Sequence, residues 1–266
     1  MTDQIILVLL SEAGGVGKTT IAVNVAYEWS LRGRSVAIID LDNNHSLDAF
    51  VGLKPERDLQ KTTARIFDRN FDGSWPLKHI FGSELISVCQ GCRDLKEVGE
   101  SLVLRKRREY ALDKILKTYP IDCELIILDC RAGFDLITEN ALAACTDILI
   151  PVDMGVKART VSSLVNIIWQ EFEELELSPA PRMMGLIPNH YNKDAAFHED
   201  FIEALTRISK QLEIKLYPPL RTWQYLNNSA ILGKPLKLVR SGDPMNSIFA
   251  GIVEDLEKIK ENKFNG

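Results

Sequence analysis

No stretch of this sequence approaches the ~18 consecutive apolar residues that a membrane-spanning helix requires; its longest apolar run is Ile5–Leu10. Met1-Thr2-Asp3-Gln4 lacks the basic segment that opens a secretory signal. Positive charge is not in surplus. The 32 Lys and Arg stand against 37 Asp and Glu, a net of -5, which excludes a globally basic nucleic-acid binder but leaves room for a local basic patch. Cysteine is scarce and odd in number, five at irregular spacing, so there is no disulfide framework and a reducing, cytoplasmic setting is expected. The four histidines, His45, His79, His190 and His198, are scattered and offer neither a metal-ligand pattern nor a Ser-His-Asp spacing. Internal repeats, low-complexity tracts and a compositional break marking a linker are all missing. With 266 residues and 45% hydrophobic content, the chain can bury a core without staples and reads as a single domain over residues 1–266.

What is present is an alternation of short apolar runs with longer amphipathic stretches, the pattern of a parallel sheet with crossover helices. Strands are expected at Ile5–Leu10, Ser35–Leu41, Leu85–Cys89, Glu124–Asp129, Asp147–Val152 and Met183–Pro188, with a short one around Glu213–Leu216. Continuous runs such as Ile5–Leu10 suit strands covered on both faces. Ile21, Val25 and Trp29 recur at helical spacing before Gly33. A helix over Ala158–Leu177 passes from an apolar stripe (Val161, Leu164, Val165, Ile168) into an acidic face (Glu171, Glu173, Glu174, Glu176) and breaks at Ser178-Pro179. A last helix is expected from Pro244 to Lys260. The fold class is therefore α/β: one mostly parallel, twisted sheet with helices on both faces.

Between the first strand and first helix lies Ser11-Glu12-Ala13-Gly14-Gly15-Val16-Gly17-Lys18-Thr19-Thr20. Glycines let the backbone curl so that successive N–H groups face phosphate oxygens, and the helix N-terminus adds partial positive charge. Lys18 can then reach the β/γ-phosphates and the Thr19 hydroxyl can ligate Mg²⁺. Glu12 stands where the general phosphate-loop pattern has Gly, so the loop is a variant form. Asp40 and Asp42 close the second strand and Asp129 closes the strand through Leu125–Leu128. Ligands of open α/β sheets bind beyond the carboxyl ends of strands, where such carboxylates can hold Mg²⁺ or orient an attacking water. A single Asp there is commonly a turn former or cap; three of them beside a phosphate loop are more than capping requires.

Gly14-Gly15-Val16-Gly17-Lys18-Thr19-Thr20, Ile39-Asp40-Leu41-Asp42 and Ile126-Ile127-Leu128-Asp129, with Arg108-Glu109-Tyr110-Ala111-Leu112 and Ser229-Ala230-Ile231-Leu232-Gly233-Lys234-Pro235, resemble the ParA/MinD family of deviant Walker-box ATPases in order and spacing. The resemblance spans nearly the whole chain. It implies a P-loop ATPase that binds ATP and Mg²⁺, closes into a nucleotide-sandwich homodimer, and binds nonspecific double-stranded DNA of the nucleoid when dimeric. An adaptor protein (McdB- or ParB-like) would stimulate hydrolysis and release it; no membrane is implied. By the same resemblance Lys18 binds phosphate, Thr19, Asp42 and Asp129 serve the metal, Asp42 positions the water and Asp40 assists. Asn189 resembles a base-contacting Asn, and Pro218-Pro219-Leu220 resembles the loop beside adenine.

One departure is clear. The family's loop lysine, which reaches the partner's phosphates, is replaced by Ala13, a methyl group that cannot neutralise phosphoryl charge. This resembles the McdA branch, which spaces carboxysomes and takes its lysine from the second half of the chain. Lys157 is the matching candidate here, an ordinary solvated lysine being the competing account, and Arg131 is a weaker one. Carboxysomes are thus the expected cargo, plasmid or chromosome the alternatives.

For DNA, two features stand out. Arg105-Lys106-Arg107-Arg108 is a run of cations of the kind that solvated helix faces carry. Residues Ile214–Gly242 hold Lys215, Arg221, Lys234, Lys237 and Arg240 and no acid, so Arg221, Lys234, Lys237 and Arg240 are the expected DNA contacts. Cys89-Gln90-Gly91-Cys92 has half-zinc-site spacing but no second ligand pair, and small core cysteines explain it better. Two other classes stay open. One is a metabolic P-loop enzyme (small-molecule kinase, synthetase or iron–sulfur reductase), which needs its own substrate pocket or thiolates; the other is a nucleotide-gated binding switch with negligible turnover.

Overall fold

The computed structural model describes residues 4–44, 46–155, 158–222 and 224–264. His45 and Lys157 lie outside the described residues. The chain runs β1 (Ile5–Leu9), α1 (Lys18–Ser30), β2 (Val36–Leu41), α2 (Ser46–Phe50), α3 (Thr63–Ile66), β3 (Leu77–Ile80), β4 (Ser83–Cys89), α4 (Leu95–Leu102), α5 (Ala111–Thr118), β5 (Leu125–Cys130), α6 (Leu136–Ala144), β6 (Asp147–Asp153), α7 (Ala158–Glu174), β7 (Arg182–Asn189), α8 (Ala196–Gln211), α9 (Gln224–Ile231), α10 (Leu236–Val239) and α11 (Asn246–Phe264). One seven-stranded sheet has the order β3-β4-β2-β5-β1-β6-β7. All pairs are parallel except β3–β4.

Side-chain alternation along the strands divides the core in two. Ile5, Leu7 and Leu9 of β1 face a layer with Trp29 of α1 and Phe249, Ile252, Val253 and Leu256 of α11. Val8 and Leu10 face the opposite layer, with Leu102, Leu112, Ile137, Val165 and Leu205 from α4 to α8. Every residue of β2 and β5 is buried, as the uninterrupted apolar runs predict for strands covered on both faces.

Six strands match expectation, and two features differ. The sheet gains β3, a short antiparallel edge reached through a tight turn at Phe81 (φ 56) and Gly82 (φ 67), the left-handed pair that a two-residue hairpin turn demands. The strand expected around Glu213–Leu216 reduces to one bridge between Leu216 and Leu186. From Ile214 to Thr222 the chain instead straps the outer edge of β7. The bonds are Leu186 N to Lys215 O (2.8 Å), Tyr217 N to Leu186 O (2.9 Å), Leu220 N to Pro188 O (2.8 Å), Tyr191 N to Leu220 O (3.0 Å) and Thr222 N to Tyr191 O (2.9 Å).

Candidate nucleotide site

Beyond the carboxyl end of β1, the loop Ser11–Gly17 enters α1 with Gly17 as N-cap in the left-handed region (φ 93). Gly15 is also left-handed (φ 74), and a Cβ built on Gly14 or Gly15 would meet nothing within 4 Å, so the loop borders open space. The loop is braced from beneath. Asn189 at the end of β7, 3% exposed, donates from Nδ2 to Val16 O (2.9 Å) and accepts His190 N at Oδ1 (2.8 Å). A Cβ on Gly17 would lie 2.2 Å from that Nδ2. Gly133 N donates to Ser11 O (3.0 Å), tying the loop after β5 to the end of β1.

Lys18 points back under the loop. Its ammonium donates to Ser11 Oγ (2.7 Å), and the residue is 7% exposed. Burial lowers its pKa, opposed by nearby Asp129, Cys130 and Asp42. Asp129 at the end of β5 is 1% exposed, and both carboxylate oxygens lack a hydrogen-bond partner. Burial raises its pKa, with the Thr19 hydroxyl and Lys18 pulling it down. The Thr19 hydroxyl and Lys18 ammonium lie near enough to act on this carboxylate but make no well-formed hydrogen bond to it, and a buried carboxylate so weakly satisfied is costly. A hard divalent cation, bound by oxygen ligands, is the ligand that repays that cost. The orphaned Asp129 oxygens, the Thr19 hydroxyl and the open glycine cradle thus fit Mg²⁺ and a polyphosphate.

Asp40 and Asp42 part company. Asp40 pairs in register with Asp129 across β2 and β5 and is fully buried. Its oxygens accept Asp42 N (2.9 Å) and Gly91 N (3.3 Å), and burial with Asp129 alongside drives its pKa well up. It is therefore a positioning residue beneath the loop that carries Asp42. Asp42 is half-buried, accepts Asn44 N (3.0 Å) and lines the cleft. Sequence reasoning missed Gly91 in this role: a Cβ there would come within 2.6 Å of Asp42 O and 2.7 Å of Asp40 Oδ2. The glycine inside Cys89-Gln90-Gly91-Cys92 is thus what the site requires. Both cysteines are buried core residues, and burial pushes the Cys89 thiol up to about 12.

The cleft holds about 410 Å³. Its lining combines Gly14, Gly15, Lys18, Thr19 and Asp42 with the apolar Phe50, Leu226 and Ala230, and Asn189, His190, Arg221 and Thr222 border it as well. Phe50, Thr222 and Leu226 carried no sequence signal, because they come from three separate segments, whereas Ala230 falls in the Ser229–Pro235 stretch that carries the resemblance. His190 is left-handed (φ 61) and its Nδ1 lies 3.2 Å from Asp153 Oδ2. Pro218 and Pro219 do not line this cleft. They line a separate groove of about 1090 Å³ between the strap, α8 and the start of α11. Leu220 is fully buried in the core, so its side chain is not offered to a ligand. Arg131 is spent on Asp135 (3.0 Å).

The expected DNA residues also separate. Arg221 lines the cleft. Lys237 pairs with the buried Glu28 of α1 (3.1 Å), Arg240 lies near Asp243 (3.9 Å), and Lys215 pairs with Asp255. Acids outside the segment thus neutralise most of a stretch that contains none itself. Lys234 alone of the four is exposed, outside the cleft and without a carboxylate partner among the described residues.

Comparison with known proteins agrees with this geometry. A family model described as AAA domain, AAA_31, matches residues 4–177. The chain is 25% identical over 236 residues to the chromosome partitioning protein ParA of Myxococcus xanthus, covering 88% of this chain and 81% of that protein. It is similar in fold to a McdA variant of Cyanothece in complex with ATP (TM-score 0.84, 19% identity, covering 97% of this chain and 98% of that one). Cobyrinic acid a,c-diamide synthase of Mycobacterium smegmatis with bound ADP and magnesium shares the fold as well (TM-score 0.73, 23% identity, 86% and 91%).

Proposed function

Since the chain belongs to the AAA_31 family of AAA domains, the ParA/MinD type of P-loop ATPase that uses ATP and Mg²⁺, we propose that it is an ATP-driven dimerising switch that rides on DNA and positions a cargo. One observation carries this reading: Lys18 and the unpartnered Asp129 lie buried beneath a glycine cradle that opens on the cleft. Lys18 and the loop N–H groups bind the β- and γ-phosphates, and Thr19 and Asp129 hold the metal. A bound Mg²⁺ supplies charge neutralisation on the phosphate oxygens. Asp42 orients the attacking water, held in place by Asp40 from below. Asn189, its amide spent on Val16 O and His190 N, braces the loop rather than contacting the base, and the apolar lining of Phe50, Leu226 and Ala230 receives the base.

In this reading the γ-phosphate selects a closed homodimer, the dimer binds nonspecific duplex DNA, and an adaptor protein stimulates hydrolysis and release. Ala13 removes a loop cation, which favours the McdA type of cargo, carboxysomes, over chromosome or plasmid. Lys157 is the proposed cation reaching the partner's phosphates. The test is size-exclusion chromatography and DNA pelleting of wild type and Asp42→Ala with ADP or ATP. Dimerisation and DNA retention with ATP, both prolonged in Asp42→Ala, are expected. A monomer indifferent to the γ-phosphate refutes the switch.

The groove of about 1090 Å³ beside the cleft favours a second reading, a metabolic P-loop enzyme with its substrate there. The strap separates the two spaces and Arg221 lines both. Under that reading a monomer binds ATP without responding to DNA. An iron–sulfur version fares worse, since a cluster needs accessible thiolates and Cys89 and Cys92 are packed in the core.

A further inference from the structure

Cations without carboxylate partners gather far from the C-terminal segment. After α4 ends, residues 103–107 make a turn in which Arg105 N donates to Leu102 O (2.8 Å) and Arg107 is left-handed (φ 53). The Arg105 guanidinium donates to Phe67 O (2.7 Å), which brings it beside Arg69. Burial, with the Arg69 charge next, lowers the Arg105 pKa, opposed by Asp68. Arg69, Lys106 and Arg107 are exposed, and none has a carboxylate partner among the described residues. Of the acids in the neighbourhood, Asp72 takes Arg65 (3.3 Å) and Asp68 accepts Asn70 N at Oδ1 (2.7 Å), so Asp68 offsets the cluster only in part. Four cations with Asp68 as the one acid shown acting on Arg105 still repel one another on balance, a cost that an anionic ligand reverses.

We infer that this turn, together with Arg69, is the surface that grips the phosphate backbone of duplex DNA. The inference rests on the DNA-binding reading above and relocates its contacts from the C-terminal segment. Val103 and Leu104 are exposed within the patch (50% and 86%). Two such side chains bury far less than one fatty-acyl chain, itself only a marginal membrane anchor, so phosphates of a duplex suit the patch better than a lipid surface. α4 also connects the patch to the nucleotide. Leu95, Lys96, Gly99 and Glu100 form one wall of a pocket of about 280 Å³, and the other walls are Asn43, next to Asp42, and Arg131, two residues beyond Asp129. Movement of either carboxylate-bearing loop therefore bears on α4 and on the turn at its end.

The test compares wild type, Arg69→Ala/Lys106→Ala/Arg107→Ala and Lys234→Ala/Arg240→Ala, each with ATP and Mg²⁺. Affinity for random-sequence duplex is read across a salt series. The triple variant should lose at least about tenfold in affinity, and its log–log salt slope should flatten by about 2.7 per protomer engaged on the duplex, some 0.9 per phosphate contact removed. The C-terminal pair variant should stay near wild type. Unchanged ATP affinity and unfolding temperature of the triple variant show that its fold is intact. Wild-type-like DNA binding by the triple variant, with loss in the C-terminal pair, overturns the assignment. Capture of wild type by phosphatidylserine vesicles but not by duplex, lost in the triple variant, overturns it too. A wild type that dimerises with ATP yet ignores duplex in every nucleotide state refutes the DNA-binding reading itself, and the inference falls with it.

Discussion

Gly17 and Gly14 sit three residues apart in one loop and should respond oppositely to a methyl group. Gly17 is left-handed and its Cβ would strike Asn189 Nδ2 at 2.2 Å, so Gly17→Ala should cost about 1–3 kcal/mol in stability and disrupt ATP binding. Gly14 has neither constraint, and Gly14→Ala should keep the wild-type unfolding temperature. Thermal melts with ATP titration distinguish the two. Asp129 makes a second residue-scale case. Burial holds its carboxyl above the usual carboxylate range, so the folded chain binds that proton more tightly than the unfolded chain does. Its contribution is favourable below the unfolded value near pH ~4 and is lost as pH rises through the raised folded value. At neutral pH, Asp129→Asn should therefore raise the unfolding temperature of the nucleotide-free protein. It should also erase the stabilisation that ATP with Mg²⁺ gives wild type, about 2.7 kcal/mol at a hundredfold excess over Kd. An unaltered response to Mg²⁺ would remove Asp129 from the metal site.

Among the elements, α10 shows why a cation in sequence need not be a cation for a partner. Leu236 N donates to Asn24 Oδ1 (2.8 Å) and Lys237 pairs with Glu28, both on α1. Glu28 is 5% exposed, and stripping a buried carboxylate of its partner leaves it uncompensated. Lys237→Ala should thus destabilise the fold by about 1–2 kcal/mol and leave DNA retention unchanged, with Glu28→Gln/Lys237→Ala recovering part of the loss. Chemical denaturation and pelleting measure the two. The six expected strands and the phosphate loop were legible because continuous apolar runs and clustered glycines are local signals. The β3 hairpin was not, because Leu77-Lys78-His79-Ile80 is short and its register depends on a turn at Phe81-Gly82 rather than on a hydrophobic period. The strap Ile214–Thr222 was half legible: its apolar residues suggested a strand, but only single bridges form along β7.

At the scale of the whole molecule, the net charge of -5 conceals a spatial arrangement that one-dimensional counting misreads. The acid-free segment Ile214–Gly242 is crossed by Glu28, Asp243 and Asp255, whereas the shorter cationic turn after α4 keeps its charge exposed. Carboxylates of the site were findable as strand ends, but their division of labour was not. Asp40 and Asp42 are two residues apart, yet one points into the sheet and the other into the cleft, and only Gly91 from another strand end explains why.

The two borders of the sheet carry a final consequence. On one side β3 is four residues long and carries Lys78; on the other the strap occupies the hydrogen-bonding edge of β7. Long bare edges invite strands from other molecules, and short charged or covered ones refuse them. Both borders of this sheet are thereby protected from strand pairing between molecules at high concentration. On the β7 side that protection depends on a few single bonds, so displacing the strap would uncover an adhesive edge.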